Sequence, residues 1–398
     1  MSETQPTLSF EATNHGALSG QLDYASPGNG PAELRLPAGG ITPVQVLTDR
    51  MAVVAALSNR DFSLSAVDQA AYPTTGSAYR SDLDLLRRDA PDVTKIRQAI
   101  GPPFSAKSVE KWRPGLTDFA RELAAGLAAR DEPVELISDY FDPLLGEAVT
   151  TSLGVSKEDW TFIRDNADVT LGLVTEPGRE TEIATAWQEL YDYCARQIEL
   201  KRLNPDDGIF SEMVRALDKT SIPTDEIKHV AATVVVGFPT PLAVMNVVSL
   251  ELMDRPELIR DCLADPTLWT PTVSELMRYR AHFATALPRI AMKDVQLEDG
   301  RVIPEGQVVL PSLRAAAHDP SRTEHPDQVD IHQKAARNIV FGTGAHLCPG
   351  APIARQWMDV SMSELFAGMP TLRLAIDKDE LRWFNGSMPS PMAIPVVK

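Results

Sequence analysis

Cysteine is scarce in this chain. Cys194, Cys262 and Cys348 are spread over 398 residues, too few and too scattered for a disulfide framework or a zinc cluster, which suits a reducing compartment. Positive charge is also outnumbered: 38 Lys and Arg face 55 Asp and Glu, a net charge of −17. Non-specific nucleic-acid binding needs clustered cations to neutralise phosphate, so that class is set aside. The opening stretch, "MSETQPTLSFEATNHG", has neither the basic start nor the apolar run of a signal peptide, so the expectation is cytoplasmic.

Only one long apolar run occurs. "VAATVVVGFPTPLAVMNVVSL", Val230 to Leu250, holds 21 residues without a charge, enough to span a bilayer. It lies mid-chain, has no companion span, and contains Thr233, Pro239, Thr240, Pro241 and Asn246. A helix apolar all round is also what the centre of a large globular protein needs, and the run is read that way, with no membrane partner.

At 43% hydrophobic composition the chain can bury a large core. After a polar lead over residues 1–30, "AELRL" and "PVQVLT" suggest short strands, and "DRMAVVAALSN" a helix begun by Asp49. From "RDFSLS" to "LLRRDAP" periodicity is lost and a long functional loop is expected. Apolar spacings of three and four then predict helices from Ser105 to about Asp265. "VQLEDGRVIPEGQVVLPSL" suggests two short strands around a Gly/Pro turn. The fold class is therefore mainly α with a small β part, as a single domain over residues 31–398.

Chemistry concentrates in "FGTGAHLCPGAPIARQWMDV". Its glycines allow tight backbone near a flat ligand, and Pro352 suits the first turn of a helix. Cys348 thus stands just before a helix N-terminus, where backbone N–H groups and the positive helix end are expected to lower its pKa and favour the thiolate. One thiolate without a second Cys or paired His is unlike most zinc and iron–sulfur sites and fits an axial haem ligand. The alternative is a structural Cys in a Gly-rich turn.

The pattern F-G-x-G-x-H-x-C-x-G resembles the haem-binding loop of the cytochrome P450 family, with Phe341, Gly342, Gly344, His346, Cys348 and Gly350 all in place. The resemblance implies the cytochrome P450 fold and haem b bound through Cys348. "SELMR" supplies Glu275 and Arg278, similar to the family's E-x-x-R helix and assigned a structural role. In "ALPRIA" Arg289 matches a propionate-binding Arg, with His346 as another propionate partner. "DAPDVTKIR" resembles D-P-P-E-H-T-x-x-R, so Arg97 matches the Arg facing haem and redox partner, while Val93 replaces a propionate-binding His. "VDIHQ" has Gln333 where an Arg usually joins the Glu–Arg pair.

The family's oxygen-activating segment reads roughly A/G-G-x-D/E-T-T, and "VGFPTP" is the best match. Gly237 and Thr240 fit it, but Pro239 takes the acid position. The prolines cannot donate to the carbonyls of Val235 and Gly237, so a kink or opened groove is expected, with water or ligand completing those carbonyls. Without the acid, protons would come from ordered water or the substrate, and coupling or cyclisation would rival hydroxylation. The prolines broadly resemble those of actinobacterial relatives that modify peptide-derived metabolites, including tryptophan-containing cyclodipeptides. Peroxide-using relatives also carry a proline here but pair it with an arginine, which Phe238 and Thr240 do not provide.

The same resemblance places substrate contacts at Gln69, Tyr72, Val236, Phe238, His282, Phe283 and Thr285. It implies O2 as co-substrate and electrons from ferredoxin and ferredoxin reductase, docking on a basic face of Arg87, Arg88, Lys95, Arg97 and Arg355. An ordinary hydroxylase of another small hydrophobic substrate is the alternative function. A non-catalytic haem-binding recruitment module is the alternative of another class.

Overall fold

Asp49 starts the first helix as its sequence suggests, its carboxylate accepting from the Ala52 N–H at 2.7 Å. The computed structural model describes residues 7–9, 30–35, 41–69, 85, 88–171, 180–220, 222–281, 285–332, 338–384 and 388–398. Strands β1 (Thr7–Ser9), β2 (Gly30–Arg35) and β3 (Ile41–Leu47) come first, then α1 (Arg50–Ser58), β4 (Phe62–Ser63) and α2 (Ser65–Gln69). β1 falls inside the stretch read as polar lead and runs parallel to β2.

The helical body follows. It contains α3 (Asp92–Ile100), α4 (Ala106–Val109), α5 (Arg113–Ala128), the short strand β5 (Val134–Glu135), α6 (Asp142–Leu153), α7 (Asp159–Thr170) and α8 (Glu180–Leu203). It continues through α9 (Ile209–Leu217), α10 (Thr224–Val236), α11 (Thr240–Met253), α12 (Pro256–Ala264) and α13 (Trp269–Arg280). The second β region holds β6 (Arg289–Ala291), β7 (Val295–Gln296), β8 (Val302–Ile303) and β9 (Val308–Pro311), then α14 (Leu313–Ala317). The chain closes with α15 (Ala351–Gly368), β10 (Arg373–Leu374), β11 (Trp383–Phe384), β12 (Ser390–Pro391) and β13 (Pro395–Val397).

"VQLEDGRVIPEGQVVLPSL" forms three strands rather than two. β7 and β8 make a hairpin, while β9 joins a six-stranded sheet in the order β1-β2-β3-β9-β6-β4. Its apolar stretch "VVLP" is buried throughout, which a place between β3 and β6 requires. The central apolar run is a core element. Thr224–Met253 is long and apolar enough to cross a membrane, yet 72% of its most apolar window is buried inside the protein. Its second half, α11, packs with α13 and α15, bringing the proline-bearing run and the helix after Cys348 into one core.

Candidate active site

The cysteine loop is built by close backbone contacts. Gly342 and Gly344 both take φ +72°, a left-handed conformation that disfavours side chains, and a Cβ on Gly344 would also collide with the Leu57 carbonyl. The Cys348 N–H donates to the Phe341 carbonyl at 2.9 Å, closing the loop. Gly350 then caps α15, and Pro352 lies in its first turn as its sequence suggests. The Arg355 guanidinium covers the half-buried Phe341 ring at 4.6 Å.

The expectation of a lowered thiol pKa needs correction. Burial pushes the Cys348 thiol up, and the opposing pull of the Gly350 and Ala351 N–H groups, Arg97 and Arg355 does not overcome it. A cation bound at Cys348 would favour the thiolate more strongly than the helix end does. Cys194 and Cys262 are fully buried in the core, which leaves Cys348 as the ligand candidate. Among the described residues no group of three His, Cys, Asp or Glu side chains is placed to hold an ion, so a metal at Cys348 needs further donors. Porphyrin nitrogens are such donors.

Beside the loop lies a cationic cradle. Arg289 is 4% exposed, and its Nη1 donates to the Leu287 and Pro288 carbonyls at 2.8 and 3.0 Å. Among the described residues no carboxylate comes within ion-pair distance of it. Burial lowers its pKa to about 10, opposed by Asp89. His346 is lowered to about 4 by burial, Arg289 and Arg97, and its buried Nδ1 has no hydrogen-bond partner. Arg97 donates through Nη2 to the Leu347 carbonyl. Burial lowers its pKa, and Cys348 opposes that shift. A buried guanidinium with no carboxylate within ion-pair distance and an orphaned imidazole nitrogen fit the two propionates of haem. Val93, at the position of the missing His, is fully buried and takes no part.

Glu275 and Arg278 are not a surface pair. Each is 5% exposed, and Arg278 holds Glu275 through Nε and Nη2 at 2.8 Å each. Arg278 also donates to the carbonyls of Ala317, Pro326 and Gln328, while Glu275 accepts from the Asp330 N–H. One helical turn thus holds the irregular chain that leads to the cysteine loop. Gln333 lies outside the described residues.

In the central apolar run the two prolines do break the helix. α10 ends at Val236 and α11 starts at Thr240. The freed carbonyls, however, find partners within the chain, contrary to the expectation of water or ligand. The Val235 carbonyl accepts from the Phe238 N–H at 3.0 Å, and the Gly237 carbonyl from the Thr240 N–H and from Thr240 Oγ1 at 2.8 Å. A tightened three-residue turn supplies what the proline nitrogens cannot.

This turn sorts the expected residues. Gly237 is exposed and Thr240 half-buried, while Pro239 is buried. Two substrate contacts are corrected here. Phe238 is 5% exposed with its ring 5.6 Å from that of Trp357 on α15, and Val236 is 3% exposed in the core. Both pack rather than face open space. Val234 before the break and Val244 after it are half-buried and pack against the core cluster. Thr285 is half-buried and bridges Ser312. Gln69 ends α2, its side chain not described; Tyr72, His282 and Phe283 lie outside the described residues.

A sequence profile described as Cytochrome P450 matches residues 247–367. The chain is 32% identical over 306 residues to cytochrome P450-SU2 of Streptomyces griseolus, covering 76% of this chain and 74% of the relative. The chain belongs to the cytochrome P450 family. It is also 32% identical to mycinamicin IV hydroxylase/epoxidase of Micromonospora griseorubida over 319 residues, 79% of each. Among solved structures, cytochrome P450mel 107F1 with biaryl coupling reactivity superposes with a TM-score of 0.89, covering 99% of this chain and all of that one; at 24% identity this shows the fold alone. This P450 is therefore an oxidoreductase with the P450 fold and a haem whose axial ligand is a cysteine thiolate.

Proposed function

We propose that this P450 serves bacterial secondary metabolism, coupling, cyclising or hydroxylating a peptide-derived aromatic small molecule, with tryptophan-containing cyclodipeptides as first candidates. The observation that carries this reading is Pro239, buried in the acid position, beside a Thr240 hydroxyl donated to the Gly237 carbonyl. The bound haem supplies activation of O2 by two electrons, which we assign to ferredoxin and ferredoxin reductase. The residues around it supply the rest.

Cys348 fixes the iron, while Arg289, His346 and Arg97 orient the propionate edge. Thr240 keeps its proton on a carbonyl, so forward donation needs a water behind it or an N–H from the substrate. No carboxylate stands at position 239 to recharge it. Proton supply for O2 activation then depends on that water or on the substrate, and a substrate that lends its own N–H proton is placed for hydrogen or electron removal from N–H and aromatic C–H bonds in competition with oxygen insertion. The relative named for mycinamicin IV carries two outcomes in its name, hydroxylation and epoxidation, which supports a scaffold tolerant of divergent products.

The intact Thr240 favours one other reading, an ordinary hydroxylase of a different small hydrophobic substrate. The test begins with a Soret titration against tryptophan-containing cyclodipeptides and macrolides. With the ligand that binds and turns over, product per electron is compared for wild type, Pro239→Glu and Thr240→Ala. Diversion of Pro239→Glu toward oxygen insertion or peroxide release is expected, with Thr240→Ala retaining most turnover. Higher native yield in Pro239→Glu with loss in Thr240→Ala would establish the hydroxylase instead.

A further inference from the structure

The cradle for the propionates is faced by a carboxylate. Asp89, three residues before α3, accepts from Ser63 Oγ at 2.6 Å and Ser65 Oγ at 2.7 Å on Oδ2, and from the Leu64 N–H at 2.9 Å on Oδ1. Burial would raise its pKa, but these donors outweigh burial and hold it below the usual carboxylate range, so it is ionised. Ser63 ends β4 and pairs in register with Ile290, the neighbour of Arg289 on β6. The clasp therefore sits one register position from Arg289 on the neighbouring strand, and the Asp89 charge acts on both Arg289 and His346.

Three consecutive donors, Ser63, Leu64 and Ser65, converge on one side chain. That is more than a loop contact needs. It ties the end of β4 and the start of α2 to the chain entering α3, which carries Arg97. It also sets one negative charge near enough to act on the cations of the cradle. A purely mechanical tie would be served by a neutral acceptor, at lower electrostatic cost.

We propose that Asp89 is a positioning residue for the propionate edge of the haem: it fixes the Arg289 strand against the start of α3 and trims the positive charge of the cradle, holding the reduction potential down. The inference rests on the family's cofactor and not on the substrate class proposed above, so either can fail alone. A negative charge disfavours the arrival of an electron nearby, so removing it raises the potential.

Two holoenzyme variants separate charge from clasp. Asp89→Asn keeps the shape and removes the charge, whereas Ser63→Ala with Ser65→Ala keeps the charge and removes two donors. The readouts are spectroelectrochemical reduction and the rate of haem transfer to apomyoglobin. In Asp89→Asn the ferrous-to-ferric ratio at fixed poise should rise about threefold to tenfold. The serine pair should transfer haem about tenfold faster. An Asp89→Asn enzyme whose potential equals wild type, however fast its haem leaves, overturns the electrostatic role. If Asp89→Asn does not fold, the serine pair decides: unchanged haem transfer overturns the clasp, and faster transfer supports it.

Discussion

Cys348 illustrates two opposed influences on one thiol. The helix start and nearby arginines favour the thiolate, while burial favours the neutral form and prevails in the polypeptide alone. Bound iron would tip that balance toward the thiolate. Cys348→Ser should abolish the red-shifted Soret band of the reduced carbon monoxide complex, and a variant that keeps that band would contradict the ligation. Gly344 gives a second residue-scale expectation. Gly344→Ala meets both a left-handed φ and the Leu57 carbonyl, so a stability loss of at least ~1–2 kcal/mol is expected from φ alone, read from the denaturant midpoint. Cys348 and Gly344 were legible in the sequence because a loop this constrained leaves a dense pattern. The outcome of the thiol's pKa was not, since burial depends on the whole surrounding fold.

At the scale of elements, α13 carries the clearest prediction. Arg278→Ala strands the Glu275 carboxylate and leaves the Ala317, Pro326 and Gln328 carbonyls without that donor. Breaking a buried pair costs about 3–5 kcal/mol. Soluble yield and haem content should therefore fall together, whereas a surface pair would leave both near wild type. The E-x-x-R spacing located this turn, but its burial came only with the structure. The central helix shows the reverse limit. Pro239 and Pro241 announced a break, yet the assignment of Val236 and Phe238 to the cavity failed because both are packed into the core, which the local sequence does not determine. Only packing against Trp357 fixes which way Phe238 points.

For the whole molecule, charge and pH matter more than any single contact. Asp168 on α7 is raised to about 6 by burial, with Asp165 and Asp142 adding to the effect and Arg164 opposing it. Arg164 is already engaged by Asp142 and Asp165. A carboxyl raised on folding binds its proton more tightly in the native state, so its contribution is complete at acid pH and is lost as pH rises from about 4 to about 6. Asp168→Asn should therefore stabilise the protein near pH 7.5 by up to ~2 kcal/mol and flatten this part of the stability–pH curve. A urea midpoint unchanged at pH 7.5 would contradict it.

The proposed electron donor meets a chain of net charge −17. Arg88 is drawn into an ion pair with Glu226, Arg97 is bonded into the cysteine loop and Arg87 lies outside the described residues, so the docking face is tested at Lys95, which meets Asp92 at 3.6 Å, and at Arg355 over the Phe341 ring. Lys95→Gln with Arg355→Gln should slow ferredoxin reduction roughly tenfold at low salt and converge with wild type at high salt. Parallel salt curves would rule this face out.

The contact between Phe238 and Trp357 also makes an optical reporter. Trp357 is one of six tryptophans, is 1% exposed, and lies on the helix that starts just after Cys348. A bound porphyrin would drain its emission by energy transfer, so the difference between wild type and Trp357→Phe would brighten when haem leaves. Whether Pro239→Glu rotates Phe238 off the indole would then be visible as a spectral shift in the haem-free protein, before any substrate is known.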